Sequence, residues 1–254
     1  MFELSDKYFD QYQNTVGKDM TDWLTDFDFS EINIDFQHRI RAFAVFSSNI
    51  EGNSVDLSSY LNWKMIVKSK PNKEITEIND LIAAYEWART EPLTETNLLE
   101  AHKILVQEIL IKSKRGKYRQ ELVGVFGESG LIYLAIEPGF VSETMSSFFL
   151  QINKLFQAPL TTEQVFYYAA LIHLRFVHIH PFADGNGRVA RLLEKWFLAQ
   201  CLGDDFWKIP SEKYYKENVQ AYYTNINIGA DFYELNYNRC IPFLALLPQS
   251  IKLR

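Results

Sequence analysis

Residues 180–191 read His-Pro-Phe-Ala-Asp-Gly-Asn-Gly-Arg-Val-Ala-Arg, and they hold the side chains of this sequence best suited to chemistry. A strongly apolar segment ends near Ile179, and Pro181 discourages its continuation as a helix. Glycine and asparagine tolerate the backbone angles of tight turns, so residues 184–187 predict a turn that opens a new helix. The backbone N–H groups and the dipole at such a helix start favour an anion, most often phosphate.

The charged side chains around this turn complete a phosphate site. Arg188 and Arg191 are three residues apart on one helix face, so two guanidinium groups beside the turn predict more than one phosphate group. Asp184 supplies the kind of carboxylate that holds Mg²⁺ together with phosphate oxygens of a substrate. His180 precedes the turn and can take a proton from an attacking hydroxyl near neutral pH. The segment as a whole predicts phosphoryl-transfer chemistry.

Each of these features also has an ordinary structural explanation when it occurs alone. A single histidine after an apolar helix usually has a structural role, a lone Asp-Gly-Asn-Gly is usually only a turn, and two arginines on a helix usually face solvent. Their combination within one short segment is what favours the functional interpretation. His173 and His178 lie upstream, but no convincing His-x-x-x-His pair with a carboxylate is present, so we interpret both as structural or solvated.

Most of the remaining sequence has the periodicity of amphipathic helices. Thr94 is a candidate helix cap, as is Thr161 or Thr162. Residues 122–136 differ, because two β-prone runs flank a Gly-Glu-Ser-Gly turn at 127–130 and predict a β-hairpin. The expected fold class is therefore all-α with one β-hairpin. Further helices are expected at about 35–50, 74–90, 187–202, 211–227 and 232–247.

Composition and charge exclude several classes of protein. The 254 residues are 47% hydrophobic, which predicts a packed globular core. A net charge of -6 argues against a nucleic-acid-binding domain. No basic, apolar signal peptide and no run of about 20 apolar residues is visible, so we expect a soluble, cytoplasmic protein without a membrane span. The two cysteines are expected to be reduced.

The segment at 180–191 matches the signature of the Fic family, His-x-Phe-x-Asp/Glu-Gly-Asn-Gly-Arg-x-x-Arg, at every fixed position. The resemblance covers roughly residues 40–250 and implies a Fic-type helical domain that transfers AMP from Mg-ATP to a Ser, Thr or Tyr hydroxyl of a target protein. It implies that His180 is the catalytic base, that Asp184 binds Mg²⁺ and that Phe182 packs inward to fix the loop. The residues that it assigns to the phosphates are Gly185, Asn186, Gly187, Arg188 and Arg191.

The resemblance extends to two other regions. Residues 116–119, Gly-Lys-Tyr-Arg, are followed by the predicted hairpin and resemble the family's flap at about 119–137, where a target protein docks by strand addition. Residues 136–139 depart from many relatives, which carry paired prolines there, so the docking geometry is less defined than the chemistry. Asn218 and Tyr222 are similar to positions near the nucleotide base, although ordinary core packing explains them equally well.

A second motif, Ser47-x-x-x-Glu51-Gly52, resembles the inhibitory motif of Fic proteins that carry an N-terminal inhibitory helix. A carboxylate at a helix C-terminus is poorly placed against the helix dipole and gains by pairing with an arginine, for which a bidentate pair is the strong geometry. The resemblance implies that Glu51 pairs with Arg191 and takes the place of the ATP γ-phosphate. In isolation the same motif is a helix end with a solvated glutamate.

These inferences give an N-terminal helical region at 1–90 with an inhibitory helix at about 35–53, and a catalytic core at 91–254. The predicted activity is protein adenylylation that uses ATP and Mg²⁺ and is inhibited by Glu51. One alternative is a de-AMPylase in which Glu51 activates water. The other is a catalytically silent module that binds a nucleotide or a partner. The sequence leaves open a homo-oligomer.

Overall fold

The structure of the chain is a computed structural model that describes residues 4–252 apart from 18, 28, 30–35, 68 and 128–129. Within these residues it is a helical protein with one two-stranded sheet. The helices are α1 (Phe9–Val16), α2 (Asp19–Asp26), α3 (Phe36–Ile50), α4 (Leu57–Asn62), α5 (Lys73–Thr90), α6 (Glu95–Leu105), α7 (Pro138–Gln157), α8 (Thr162–Ile179), α9 (Asn186–Leu202), α10 (Ser211–Glu217), α11 (Val219–Ile226), α12 (Ile241–Leu244) and α13 (Leu246–Gln249). The strands are β1 (Gly124–Gly127) and β2 (Gly130–Leu134), and a π-helical turn covers Trp63–Val67.

The centre of the molecule is the pair α8 and α9, joined by residues 180–185. Every residue of α8 from Val165 to Ile179 is buried, and most of α9 is buried as well. A helix that is covered on all sides needs neighbours all round. One continuous apolar core accordingly runs from α1 through α3, α5, α7 and α8 to α13. The connection between α8 and α9 is therefore held on both sides by rigid, buried helices.

Capping side chains fix the starts of several helices. Thr94 accepts a hydrogen bond from the backbone of Asn97 at the start of α6. Thr161, rather than Thr162, caps α8, and it forms a reciprocal capping box with Gln164. Both helix starts were expected from the sequence, because threonine at an N-cap accepts one of the otherwise unpaired N–H groups.

The predicted hairpin is present between α6 and α7. β1 and β2 are antiparallel, with Gly124 opposite Leu134, and an irregularity in register follows Val125. The predicted turn at 127–130 includes residues 128 and 129, which lie outside the described part of the chain. Leu134 also exchanges backbone hydrogen bonds with Ala230 and Phe232, so the end of β2 is anchored to a later segment of the core.

Two predicted helices differ from the structure. The helix expected at 211–227 is divided into α10 and α11 at Asn218, whose ψ angle of 35° departs from the helical range. The helix expected at 232–247 is wrong over its first part, because 230–232 pair with β2 and the chain becomes helical only from Tyr237. Pro242 lies in the first turn of α12, where its missing N–H costs nothing.

The all-α fold class with one hairpin is confirmed, since 67% of the structure is helical. None of the helices in the described ranges is long and apolar enough to cross a membrane. The division into 1–90 and 91–254 stays a prediction; buried side chains from both ranges belong to one apolar cluster.

Candidate active site

The turn between α8 and α9 has the backbone that its sequence predicts. His180 ends α8 in the left-handed conformation, with φ 51° and ψ 58°, and it is the one non-glycine residue with positive φ among the described residues. Gly185 precedes α9 with φ 84°. The side-chain amide of Asn186 accepts a hydrogen bond from the backbone of Phe182 and donates one back, at 2.9 Å each. Asn186 therefore offers only its backbone to a ligand, and its side chain closes the turn.

His180 has a defined tautomer. Its Nδ1 lies 3.2 Å from the carbonyl oxygen of Val177, which can only accept, so Nδ1 carries the proton and Nε2 keeps its lone pair. Burial lowers the pKa of His180 below its ordinary value, and the positive charge of Arg119 acts in the same direction. The carboxylates of Glu51 and Asp184 partly oppose this effect. At neutral pH the imidazole is consequently a neutral proton acceptor.

A buried histidine, His102, packs against the turn. The ring of His102 stacks on that of Phe182, with centroids 3.6 Å apart. Its Nδ1 accepts a hydrogen bond from the backbone of Gly116, so Nε2 donates to the carbonyl oxygen of Asp184 at 3.1 Å. Burial lowers the pKa of His102 to about 4, which keeps it neutral in this role. The ring joins the turn to the segment before the hairpin.

Asp184 and Arg188 form an ion pair in which Asp184 is partly exposed and Arg188 is buried. Arg188 Nη2 lies 3.1 Å from Asp184 Oδ1, and the side chain of Asp184 is 50% exposed. The Nε of Arg188 is buried and has no hydrogen-bond partner in the described structure. A buried donor without an acceptor is costly. This part of the turn therefore has the properties of an anion site, and the half-exposed carboxylate of Asp184 lies beside it.

Arg191 is fully buried and joins α9 to α3. Its Nη2 lies 2.7 Å from Glu51 Oε1 and 3.0 Å from the carbonyl oxygen of Ser47, while Nε donates to the Ser47 hydroxyl at 2.8 Å. Nη1 donates to the hydroxyl of Tyr222 at 3.1 Å. The structure thus brings Ser47 and Glu51 to the second arginine of the turn. The pair with Glu51 has one contact rather than the expected two, because the other donors of Arg191 serve Ser47 and Tyr222.

The end of α3 determines where Glu51 lies. Gly52, with φ 94°, closes the last turn immediately after Glu51. Lys216 and Tyr223 donate to the carbonyl oxygens of Asn49 and Ile50, at 3.0 and 2.9 Å, and satisfy the negative end of the helix. Burial raises the pKa of Glu51, but the charge and hydrogen bond of Arg191 outweigh it and hold that pKa below its usual value.

Tyr222 and Asn218, both predicted near a nucleotide base, occupy supporting positions. The hydroxyl of Tyr222 is buried between Arg191 and His173, and it donates to His173 Nε2 at 2.9 Å. His173 Nδ1 in turn donates to the carboxylate of Glu194 at 2.8 Å. Asn218 donates to the carbonyl oxygen of Tyr214 at 3.0 Å. Contact of Tyr222 and Asn218 with a nucleotide stays a prediction.

The interpretation of His173 and His178 as structural is consistent with their buried positions. His178 lies between the hydroxyl of Tyr237 and the carbonyl oxygen of Ile226. No group of three or more His, Cys, Asp or Glu side chains suited to a metal ion occurs in the part of the chain that the structure describes. A divalent cation at Asp184 would need most of its ligands from a substrate and water, as Mg²⁺ commonly does.

Three residues at or near the site have roles that the sequence did not predict: His102, Arg119 and Glu194. His102 lies on the buried face of α6 with Leu98 and Leu105, and a lone polar residue on an apolar helix face is the only available signal. Arg119 belongs to the segment that resembles the flap, but its hydrogen bonds to residues 179–181 were not expected. The relay through Glu194 was also missed, since its members are far apart in sequence.

Fold and site together define a helical domain. In it, a histidine with a left-handed backbone conformation precedes a closed Gly-Asn-Gly turn, and the following helix carries two buried arginines. Residues 92–198 match the model of the Fic/DOC family. A relative named protein adenylyltransferase Fic, from Culex quinquefasciatus, is 35% identical over 169 residues, and its counterpart from Aedes aegypti is 32% identical. Each alignment covers 61% of this chain and 31% of the relative, so the chain spans about a third of their length.

Solved structures support the same fold. A Fic family protein from Desulfovibrio desulfuricans superposes with a TM-score of 0.77 at 21% identity, over 95% of this chain and 73% of the other. A Fic domain-containing signalling protein from Bacteroides thetaiotaomicron gives 0.65 at 23% identity, over 97% and 94% of the two chains. The likeness in fold therefore extends beyond the residues matched by the family model.

Proposed function

We propose that this protein is an adenylyltransferase that moves AMP from ATP to a hydroxyl of a target protein and that is inhibited by its own Glu51. The observation that carries the proposal is the buried Arg188 Nε without an acceptor, next to the half-exposed Asp184 and the neutral His180. A phosphate oxygen is the acceptor that such a site lacks. The name of the relatives, protein adenylyltransferase, favours AMP among the groups that this chemistry could transfer.

The reaction assigned to these groups is an in-line displacement. The target hydroxyl attacks the α-phosphorus of ATP, a new P–O bond forms, and the bond to pyrophosphate breaks. His180 Nε2 takes the hydroxyl proton, because Nδ1–H is held by Val177 and Nε2 alone can accept. The backbone N–H groups at the start of α9 and the guanidinium of Arg188 bind the phosphates, so that positioning and charge provide most of the rate.

Asp184 fits a Mg²⁺ ion, because its carboxylate is half exposed and is already oriented by Arg188 and by the backbone of Gly185. When bound, the ion would supply positive charge at the phosphate oxygens. His102 fixes the carbonyl of the same residue, so the side chain starts from a rigid backbone.

Incubation with ATP labelled in its α- or γ-phosphate tests the transfer directly. The purified Glu51→Gly variant with Mg²⁺ should retain label on protein from α-labelled ATP and none from γ-labelled ATP. Label from the γ-position would indicate a kinase, and nucleotide binding without any label would support the silent binding module.

The de-AMPylase alternative also has structural support. Glu51 contacts Arg191 through Oε1 and its side chain is 33% exposed, which leaves room for a water molecule. In that case Glu51→Gly should lose release of AMP from a modified target, while the transferase proposal requires that the same variant gain labelling.

Replacement of Asp184 by alanine should raise the Mg²⁺ concentration for half-maximal labelling by about tenfold or more and lower the maximal rate. The reason is that one carboxylate is the only protein ligand proposed for the ion. A Mg²⁺ titration of labelling in the Glu51→Gly background measures both effects. Asp22→Ala, an exposed position on α2, is the matched control. An unchanged Mg²⁺ dependence would remove Asp184 from its role.

Replacement of Phe126 by serine should weaken target labelling without changing nucleotide affinity. Phe126 is 72% exposed on β1, where an extended target segment can add to the sheet and pack on it. Ile66, which is 77% exposed in the π-helical turn, provides the control Ile66→Ser. The KM for a protein target, once identified, should rise several-fold only in Phe126→Ser. Equal losses in the two variants would indicate a different docking surface.

A further inference from the structure

Arg119 lies between the hairpin and the catalytic turn, and it bonds to the backbone of both. The side chain is 2% exposed. Its Nε donates to the carbonyl oxygen of His180 at 2.7 Å, and Nη2 lies 3.4 Å from that of Ile179. The backbone N–H of Arg119 donates to the carbonyl oxygen of Pro181 at 2.9 Å. Three consecutive carbonyl groups around the catalytic histidine therefore accept from this one residue.

The other donors of Arg119 bind the two ends of the hairpin. Nη1 donates to the carbonyl oxygen of Glu121 at 2.9 Å, just before β1. Nη2 also donates to the carbonyl oxygen of Ile136, just after β2. None of the ion pairs between described residues includes Arg119, so its charge is shared among carbonyl dipoles. The planar guanidinium group has the donors and the geometry to bond several carbonyl groups at once, whereas lysine does not.

The backbone conformation of His180 explains why these hydrogen bonds are needed. A non-glycine residue in the left-handed region persists only where its surroundings enforce it. Rotation of this backbone would redirect the imidazole, and Nδ1 would leave Val177. The hydrogen bonds of Arg119 to residues on both sides of His180 hold this conformation. Its hydrogen bonds to the hairpin also fix the position of His180 relative to the surface where a target would lie.

We infer that Arg119 is a positioning residue, which fixes the backbone of His180 relative to the base of the hairpin so that a hydroxyl presented on the hairpin meets Nε2. The inference rests on the proposed transferase function. The inference assigns Arg119 to the alignment of base and hydroxyl, and not to nucleotide binding. The donors of Arg119 are used by backbone carbonyl groups that precede α9 in sequence, whereas Arg188 and Arg191 lie on α9.

Arg119→Met and Arg119→Lys, each in the Glu51→Gly background, test the inference. Misalignment by about 1 Å is expected to lower kcat for labelling by about a hundredfold in Arg119→Met, while the KM for ATP and the stoichiometry of nucleotide binding stay within about twofold. Arg119→Lys keeps the buried cation but loses the fork of donors, so its kcat should lie between those of the parent and of Arg119→Met.

Tyr133→Phe separates alignment from simple attachment of the hairpin. The Tyr133 hydroxyl donates to the carbonyl oxygen of His178 at 2.6 Å, so its hydrogen bond ties β2 to α8 at a residue outside 179–181. Tyr133→Phe should lower Tm but leave kcat near the parent value. Unchanged kcat in Arg119→Lys, or parallel loss of kcat and nucleotide binding in both Arg119 variants, would overturn the inference. Absence of transfer in the Glu51→Gly parent would instead refute the proposed function.

Discussion

Glu51→Gly is expected to increase auto-labelling from α-labelled ATP by about ten- to a hundredfold. The charge-assisted hydrogen bond between Glu51 and Arg191, at 2.7 Å, is worth about 1.5–3 kcal/mol when a productively bound nucleotide must break it. Arg191 is buried and cannot turn to a second partner without leaving Ser47 and Tyr222. Removal of the carboxylate should therefore release the guanidinium for the γ-phosphate. Rates of auto-labelling and nucleotide affinity, measured side by side, check this result.

Three related variants identify the cause of the activation. Glu51→Gln keeps the shape and loses the charge, so it should activate nearly as much as glycine. Glu51→Asp keeps the charge but loses reach, so it should activate less. Arg191→Ala should not activate, because it removes the proposed γ-phosphate partner together with the inhibitory contact. Equal labelling by the parent and Glu51→Gly, at equal nucleotide affinity, would contradict autoinhibition and leave the transferase proposal intact.

Gly187 offers an independent check on the location of Glu51. A Cβ added at Gly187 would lie 2.3 Å from Glu51 Oε1 and 3.3 Å from Arg191 Nη1, so Gly187→Ala must displace the carboxylate. Alanine is otherwise preferred to glycine within a helix. The substitution should therefore lower Tm more in the parent than in the Glu51→Gly background. The same change in Tm in both backgrounds would place Glu51 elsewhere.

The pH dependence of inhibition follows from the lowered pKa of Glu51. The carboxylate stays ionised above its ordinary pKa of 4.5, and the ion pair is lost only as the pH falls through the lower folded-state value. Inhibition should thus be constant from pH 6 to pH 8, where His180 rather than Glu51 determines any change in rate.

The turn between α8 and α9 could be predicted from sequence because its information is local. Proline, glycine and asparagine within residues 180–191 determine the end of α8, the turn at 184–187 and the start of α9, whereas the left-handed conformation of His180 was not expected from the sequence. The hairpin was predictable for the same reason. The Glu51 contact spans 140 residues, and only the resemblance to a known motif suggested it.

The supporting residues could not be predicted, since their roles depend on packing between distant elements. His102 carries no local signal for its stacking on Phe182, which brings α6 against the turn. The error in the helix predicted at 232–247 also comes from packing between distant elements. Residues 230–232 pair with β2, and the chain becomes helical only from Tyr237. Local propensity is overridden where a strand edge needs a partner.

His180→Ala is expected to abolish transfer while nucleotide binding changes by less than about threefold. Loss of a general base costs about a hundred- to ten-thousandfold in rate. His180 is suited to this role because its Nδ1–H is held by Val177 and its pKa is lowered by burial and by Arg119, so Nε2 is an unprotonated acceptor at pH 7. The phosphates would contact the turn after His180, and this explains why binding should survive.

The experiment uses the Glu51→Gly background, in which the parent rate is measurable. His38→Ala, near the start of α3, is the matched control and should transfer AMP at the parent rate. The rate of the parent should fall on acidification only below about pH 6.5, because the folded-state pKa of His180 lies under that ordinary value and removal of Glu51 lowers it further. A His180→Ala variant that labels itself at the parent rate would show that another group takes the proton.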